Sequence, residues 1–172
     1  MEKICWANTD DFEESEFVII GIPDESQSHA LRKGTEDAPN KIRQISNIRD
    51  SFERNGKISL GHPFEGSEKK VHDFGNIKRE QIENIYDKIS ASSKIPISIG
   101  GDHSITRQII NAITKKHEKI SLVYFDAHPD FVSSTNNYYG SVVNDVLSNI
   151  EIATSVQIGI RTPEQEELDN IK

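Results

Sequence analysis

Residues 98–104 read Ser-Ile-Gly-Gly-Asp-His-Ser, and residues 123–130 read Val-Tyr-Phe-Asp-Ala-His-Pro-Asp. Each stretch begins with a short apolar run and ends in side chains that bind metals. A short apolar run bounded by Gly or Pro is typical of a buried parallel strand. Because ligands of open α/β sheets bind beyond the carboxyl ends of the strands, we expect both groups of side chains to meet at one edge of a sheet.

The side chains at these two strand ends are candidate metal ligands: His103, Asp126, His128 and Asp130. Two imidazoles and two carboxylates suit Mn, Fe, Co or Zn better than Ca or Mg. Alternate side chains of an extended chain share a face, so the second motif can aim all three of its ligands at one site. Gly100 and Gly101 permit a tight turn and a close backbone approach before His103. The alternative is that the histidines are packed in the core and that the aspartates cap helices.

The rest of the chain alternates predicted strands with predicted helices. Strands are expected at 16–22, 70–74, 95–99, 120–125 and 153–160. Helices are expected from Pro39, over 77–90, after Ser104, near 143–147, and from a Thr162 cap. The first of these carries apolar residues at 42, 45, 48 and 52, whereas 55–68 and 129–141 are predicted loops. This alternation predicts a single α/β domain over residues 1–172 with a mainly parallel sheet.

Composition limits the classes of protein that the chain can represent. With 34% hydrophobic and 28% charged residues, the 172-residue chain is typical of a soluble protein, and its apolar runs are too short to cross a bilayer. The net charge of −8 argues against a nucleic-acid partner. One cysteine, Cys5, excludes an internal disulfide, and the N-terminus lacks a signal-peptide pattern, so we expect a cytoplasmic protein without membrane partners.

Gly-Gly-Asp-His-Ser at 100–104 and Asp-Ala-His-Pro-Asp at 126–130 resemble two signature motifs of the ureohydrolase family, which includes arginase, agmatinase and formiminoglutamase. Weaker similarities occur at Gly21-Ile22-Pro23, at residues 73–77 and at residues 157–161. The resemblance extends over the whole chain. It implies the three-layer arginase/deacetylase-like α/β fold of that family.

The resemblance also implies a site and a reaction. His103, Asp126 and Asp130 would hold one Mn ion, and Asp126 with His128 would hold a second. Asp130 is expected to take part in catalysis. Asp102, which would stand behind the ligands, is expected to do so as well. The implied reaction hydrolyses a small guanidino substrate and releases urea. Arginases carry Asn at the position of Val132, which favours an agmatinase-like substrate.

The sequence departs from the family pattern in two further respects. The motif Ser-x-Asp-x-Asp-x-x-Asp-Pro, which supplies two more aspartate ligands in the family, is absent, so the chain is expected to correspond to the N-terminal portion of a longer domain. Two ions occupy the intact family site, and one ion or none is the alternative for this chain. The family also carries His-Gly in the loop after the second motif, where this chain has Tyr139-Gly140.

Three functions remain open on the sequence. The first is a Mn-dependent, agmatinase-like hydrolase. The second is a catalytically inactive ureohydrolase-like protein that binds a metal or a partner. The third is a metallophosphoesterase, although its Gly-Asn-His motif is absent. A sheet edge without its last strands would pair with another chain, so we expect a homo-oligomer.

Overall fold

The computed structural model describes residues 2–47, 52–54, 57–59 and 68–171. The strands there are β1 (Phe17–Ile22), β2 (Phe52–Arg54), β3 (Lys57–Ser59), β4 (Val71–Asn76), β5 (Ile95–Gly100), β6 (Val123–Phe125) and β7 (Val156–Ile158). The α-helices are α1 (Ala38–Asn47), α2 (Ile82–Ala91), α3 (Ile105–Thr114), α4 (Val142–Asp145) and α5 (Gln165–Asn170). Short 3-10 turns occur at Thr35–Asp37, Arg79–Gln81, Tyr139–Ser141, Leu147–Asn149 and Ile152–Thr154. Every predicted strand and helix is present, so the α/β class is confirmed.

The main sheet has the order β4-β1-β5, and all three strands are parallel. Its central strand, β1, is the apolar run predicted to be buried, and Val18, Ile19, Ile20 and Ile22 are at most 2% exposed. A strand that is buried on both faces lacks the polar alternation of a half-solvated strand. The continuous apolar run therefore indicated the centre of the sheet.

The two faces of β1 bury different groups of side chains. Val18, Ile20 and Ile22 belong to a cluster with residues of α2 and α3, among them Ile82, Tyr86, Ile89, Ile105 and Ile109. Ile19 points the other way, against Ile4 and Val71. The period of two along a strand produces this division. Packing against β1 and α2 thereby fixes the start of α3, which follows the first predicted ligand motif.

A second parallel pair, β6 and β7, carries the other ligand motif, with Val123 opposite Val156. Both strands are shorter than predicted, and Ile120 makes only an isolated bridge to Ile150. Within the described part of the chain this pair is not hydrogen-bonded to β5, so the parallel strands form two sheets. Val123 and Phe125 remain 60% and 74% exposed.

Two predictions for residues 42–68 are wrong. Helix α1 ends at Asn47, and Phe52 lies in β2, which pairs with β3 as an antiparallel hairpin where a loop was expected. Ile48, residues 55–56 and residues 60–67 lie outside the described residues. Ile42 and Ile45 are 39% and 63% exposed, whereas Arg43 is buried. The apolar stripe of this helix therefore does not face the core.

Among the residues that the structure describes, none of the helices has the length and apolar character needed to cross a bilayer. Whether residues 1–172 fold as one domain stays a prediction.

Candidate metal and substrate site

The first ligand motif follows β5 and turns directly into α3. The Gly101 amide donates to the carbonyl of Ile22 at 2.9 Å, and the Asp102 amide donates to the carbonyl of Asp24 at 2.9 Å. A Cβ atom at position 101 would stand 2.1 Å from the Asp24 carbonyl oxygen. Only glycine permits this approach, so the predicted role of the glycine pair is confirmed for Gly101. The turn carries His103 to the carboxyl end of the sheet.

The second motif is held by contacts from β7 and from the segment that follows it. The Gln157 side chain donates to the Pro129 carbonyl at 2.9 Å, and the Arg161 amide donates to the Ala127 carbonyl at 2.9 Å. Asp130 adopts a left-handed backbone conformation with φ 51°. Asp tolerates this conformation better than most residues do. The turn redirects the chain and leaves the Asp130 carboxylate buried, with 6% of the residue exposed.

Both motifs meet at one cavity of about 240 Å³. Its lining includes all four predicted ligands, His103, Asp126, His128 and Asp130, together with Val132, Tyr138, Tyr139, Gly140, Glu164 and Glu167. His103 Nε2 lies 3.3 Å from Asp130 Oδ2, and His128 Nδ1 lies 3.4 Å from Asp126 Oδ1. The structure thus brings the predicted ligands together as two His–Asp pairs.

A residue that the sequence reasoning missed, Tyr124, lies between these pairs. Its hydroxyl is 2.8 Å from His103 Nε2, donates a short hydrogen bond to Asp130 and lies 3.4 Å from Asp126 Oδ2. The ring stacks on the His103 imidazole, with centroids 5.6 Å apart. The signal for it was present, because Tyr124 precedes Asp126 by two residues in a strand and so shares its face.

The donor atoms suit a divalent ion, although they do not yet surround one. Imidazole nitrogen and carboxylate oxygen are ligands of Mn, Fe, Co and Zn. In the described ranges, however, no three His, Cys, Asp or Glu side chains form a ready ligand cluster. The pair of His103 with Asp130 could hold one ion, and the pair of Asp126 with His128 could hold another. The Tyr124 hydroxyl connects His103 and Asp130 through hydrogen bonds.

The protonation states favour metal binding at two of these residues. Burial lowers the pKa of His103, and this outweighs the opposing influence of the Asp126 and Asp102 carboxylates. Burial alone would raise the pKa of Asp126, but hydrogen bonds from the backbone amides of residues 127 and 128 bring it below its ordinary value. Neutral imidazole and ionised carboxylate are the forms that ligate metals. At Asp130 burial dominates and raises the pKa to about 6.

Asp102 lies behind the site and does not line the cavity. Its Oδ1 accepts the Ser104 amide at 2.8 Å and a short hydrogen bond from the Ser104 hydroxyl. Arg79 donates to that hydroxyl at 2.7 Å and to Asp24 at 2.8 Å. Within the described residues, Asp102 Oδ2 is buried without a hydrogen-bond partner. Participation of Asp102 in catalysis stays a prediction.

The loop after the second motif is fastened to α5 by two glutamates, Glu166 and Glu167. Glu167 is 3% exposed and accepts the amides of Phe131 at 3.0 Å and Glu164 at 2.8 Å. Glu166 accepts the amides of Ser133 and Ser134 at 2.9 and 2.7 Å. The predicted Thr162 cap is wrong. Glu164 caps α5, because the Thr162 hydroxyl donates to the Ala127 carbonyl instead.

Two aromatic residues, Tyr138 and Tyr139, line the cavity, and His29 packs against both. His29 stacks on Tyr138 with centroids 4.6 Å apart, and it meets Tyr139 edge-on at 6.4 Å. The two tyrosine rings lie 4.4 Å from each other. Tyr139, the residue that departs from the family pattern, lines the cavity itself.

Comparison with known proteins gives one consistent result. A model described as the arginase family matches residues 15–172. An agmatinase of Blochmanniella floridana is 41% identical over 95 residues, which are 54% of this chain and 30% of that protein. A guanidinobutyrase of Pseudomonas aeruginosa is 30% identical over 160 residues, which are 83% of this chain and 47% of that protein.

Solved structures resemble this one as well. The crystal structure of the agmatine ureohydrolase of Thermoplasma volcanium is 27% identical and has a TM-score of 0.75, covering 98% of this chain and 58% of that one. An arginase of Bacillus cereus, at 19% identity and a TM-score of 0.69, has the same fold. The chain spans about half the length, or less, of the curated relatives named above.

Proposed function

Since this chain belongs to the arginase family, we propose that it takes part in Mn-dependent hydrolysis of a guanidino compound, with release of urea, in the manner of an agmatinase. The observation that carries the proposal is the convergence of His103, Asp126, His128 and Asp130 on one cavity. Both relatives named above as enzymes, the agmatinase and the guanidinobutyrase, support a guanidino substrate.

Two bound ions would supply Lewis-acid chemistry and an activated water near neutral pH. The residues of this chain prepare the site for them. Asp126 pairs with His128 through Oδ1, and its Oδ2 lies 3.4 Å from the Tyr124 hydroxyl that contacts His103 and Asp130, so its carboxylate can serve both ions. His103 is held by Tyr124 at Nε2 and contacts the Thr106 hydroxyl through Nδ1 at 3.2 Å, which fixes the ring. An oriented imidazole loses less entropy when it binds an ion.

The lining of the cavity favours a cationic substrate. Carboxylates of Asp126, Asp130, Glu164 and Glu167 line it, and Tyr138 and Tyr139 present aromatic surface. A guanidinium is attracted both to carboxylates and to aromatic faces. Val132 is buried at 7% exposure, at the position where arginases carry Asn. These features support agmatine, which lacks a carboxylate, over arginine or guanidinobutyrate.

The test is urea release by the purified 172-residue chain with Mn²⁺, using agmatine, arginine and guanidinobutyrate in parallel. We expect release from agmatine, its loss in His103→Asn, and its retention in His117→Asn, which alters an exposed histidine. A folded chain that releases no urea from any of the three substrates would refute turnover by this chain. Equal activity of His103→Asn and the unaltered chain would refute the assignment of the site.

A second candidate is binding of a metal or a partner without turnover. Tyr139 favours it, because a phenol lines the cavity where the family carries a histidine. Mn²⁺ binding without urea release would select this candidate. The family match removes the metallophosphoesterase alternative. A cytoplasmic location, supported by the single cysteine, and self-association complete the proposal.

A further inference from the structure

The Tyr124 hydroxyl occupies the centre of the predicted ligand set. It hydrogen-bonds to His103 and Asp130 and stands 3.4 Å from Asp126 Oδ2, so it reaches three of the four predicted ligands. Both carboxylates lie within 3.4 Å of it. No ion could bond to His103 Nε2 while this hydroxyl remains hydrogen-bonded to it, because an imidazole nitrogen has one bonding position, which either a hydrogen bond or a metal occupies.

The position of Tyr124 follows from the strand that carries it. Only 8% of Tyr124 is exposed, whereas its neighbours Val123 and Phe125 are 60% and 74% exposed. The alternation of β6 therefore turns the phenol inward, onto the same side as Asp126. The ring is also fixed by stacking on His103 at an interplanar angle of 28°. Both constraints place the hydroxyl among the ligands.

We propose that the Tyr124 hydroxyl and a divalent cation compete for the same donors, so that Tyr124 is a positioning residue that sets the metal affinity of the site. This inference rests on the metal centre of the proposed function. Without an ion, the hydroxyl keeps the donors gathered and hydrogen-bonded. An ion that binds to Asp130 and His103 must displace the hydroxyl and break both of its hydrogen bonds.

Removal of the hydroxyl alone therefore tightens metal binding. Each hydrogen bond contributes a net amount that corresponds to about a factor of ten in an equilibrium constant when one partner is charged. In Tyr124→Phe we expect the Kd for Mn²⁺ to fall by about ten- to a hundredfold. The ring remains, so its stacking on His103 is kept.

The experiment is a titration of the full chain with Mn²⁺, in which free aqueous Mn²⁺ is followed by electron paramagnetic resonance. The matched control is Tyr86→Phe. Tyr86 is another buried tyrosine, and its hydroxyl forms a short hydrogen bond to Ser98 outside the cavity. The Kd of Tyr86→Phe for Mn²⁺ should therefore equal that of the unaltered chain. An unchanged or weaker affinity of Tyr124→Phe would overturn the competition. A weaker affinity would instead mean that the phenol oxygen is itself a ligand.

A second readout is taken on the unaltered chain, with Tyr124→Phe as its control. When Mn²⁺ saturates the unaltered chain, the displaced phenol changes its near-ultraviolet absorption, and Tyr124→Phe lacks this change. If Tyr124→Phe fails to fold, the absence of a tyrosine difference spectrum in the unaltered chain would still overturn the inference. Failure of Mn²⁺ to bind either protein would overturn it together with the metal centre. Mn²⁺ binding as expected without urea release would support the inference and contradict only the turnover.

Discussion

Arg43 and Asp73 form a bidentate ion pair in the interior of the protein. Arg43 Nε donates to Asp73 Oδ2 at 2.8 Å, Nη2 donates to Oδ1 at 2.8 Å, and both side chains are 1% exposed. Asp73 also accepts the backbone amides of Ile4 at 2.8 Å and Gly75 at 2.9 Å. The pair joins α1 to β4 and to the N-terminal segment. With these bonds, neither carboxylate oxygen is left unsatisfied.

Arg43→Met should destabilise the protein by about 3–5 kcal/mol, because it leaves the Asp73 carboxylate buried without its counter-charge. Urea denaturation followed by circular dichroism measures the change. The control is Lys3→Met, which removes an exposed ion pair with Asp10 and should leave the midpoint unchanged. Equal midpoints for Arg43→Met and the unaltered chain would show that the buried pair contributes nothing.

Asp130→Asn should stabilise the metal-free protein at neutral pH. Burial raises the pKa of Asp130 to about 6, whereas in an unfolded chain it is about 3.9. The unfolded chain thus releases this proton first, and stability falls as the pH rises from about 4 to about 6. Asn does not titrate, so it should gain roughly 1–3 kcal/mol above pH 6 and almost nothing below pH 4.

Unfolding of Asp130→Asn in chelator at pH 4 and pH 7 measures this difference. Asn accepts the Tyr124 hydrogen bond and tolerates the left-handed backbone of this position, so the substitution isolates the charge. Asp37→Asn, at an exposed position, is the control and should show no such pH dependence. The prediction would be wrong if Asp130→Asn destabilised the protein equally at both values.

How far the sequence predicts this structure depends on how local each signal is. The burial of β1 and the convergence of His103 and Asp126 could be predicted, because each follows from a short run and from where parallel strands end. The burial of Arg43 could not, since its partner Asp73 is 30 residues away and overrides the apolar stripe of α1. Glu167 is similar: its burial depends on Phe131, 36 residues earlier.

Tyr124 is a different kind of omission. Its strand and its face could both be predicted, since it lies two residues before Asp126 and therefore shares its face. A phenol is not among the usual ligands of these divalent metals, so the ligand pattern assigns no role to Tyr124. Its contacts with His103 and Asp130 depend on the approach of two loops, which the sequence does not specify.

Glu167→Ala should destabilise the protein by about 1–3 kcal/mol, because the amides of Phe131 and Glu164 lose their acceptor. Glu167→Gln keeps one acceptor oxygen and should lose about half as much. Hydrogen exchange of the Phe131 amide should accelerate in both variants. Glu118→Ala, at an exposed position, is the control, and unchanged exchange at Phe131 would argue against this role of Glu167.

Tyr139→His should raise the rate of urea release by about tenfold or more, which is the lower range for a positioned general acid or base. The position lines the cavity with His103 and Asp130, and the resembling family carries histidine there. The rate should gain a dependence on a group that titrates near pH 6.5, the ordinary pKa of histidine. Leu31→His, which adds a histidine at a fully exposed position outside the cavity, is the control and should give neither effect.

Self-association should depend on the exposed apolar side chains of β5 and β6. Ile95 and Ile97 are 54% and 41% exposed, and Phe125 is 74% exposed, although parallel strands are ordinarily covered on both faces. Exposed apolar faces of this kind favour association with another copy of the chain. Light scattering over a dilution series should therefore show species larger than a monomer. Phe125→Lys should shift the population toward monomer, because it places a charge in that contact.

Leu31→Lys changes a fully exposed leucine outside the strands and should leave the distribution unchanged. An unaltered chain that is monomeric at every concentration would contradict the prediction. An equal response to both substitutions would place the contact elsewhere.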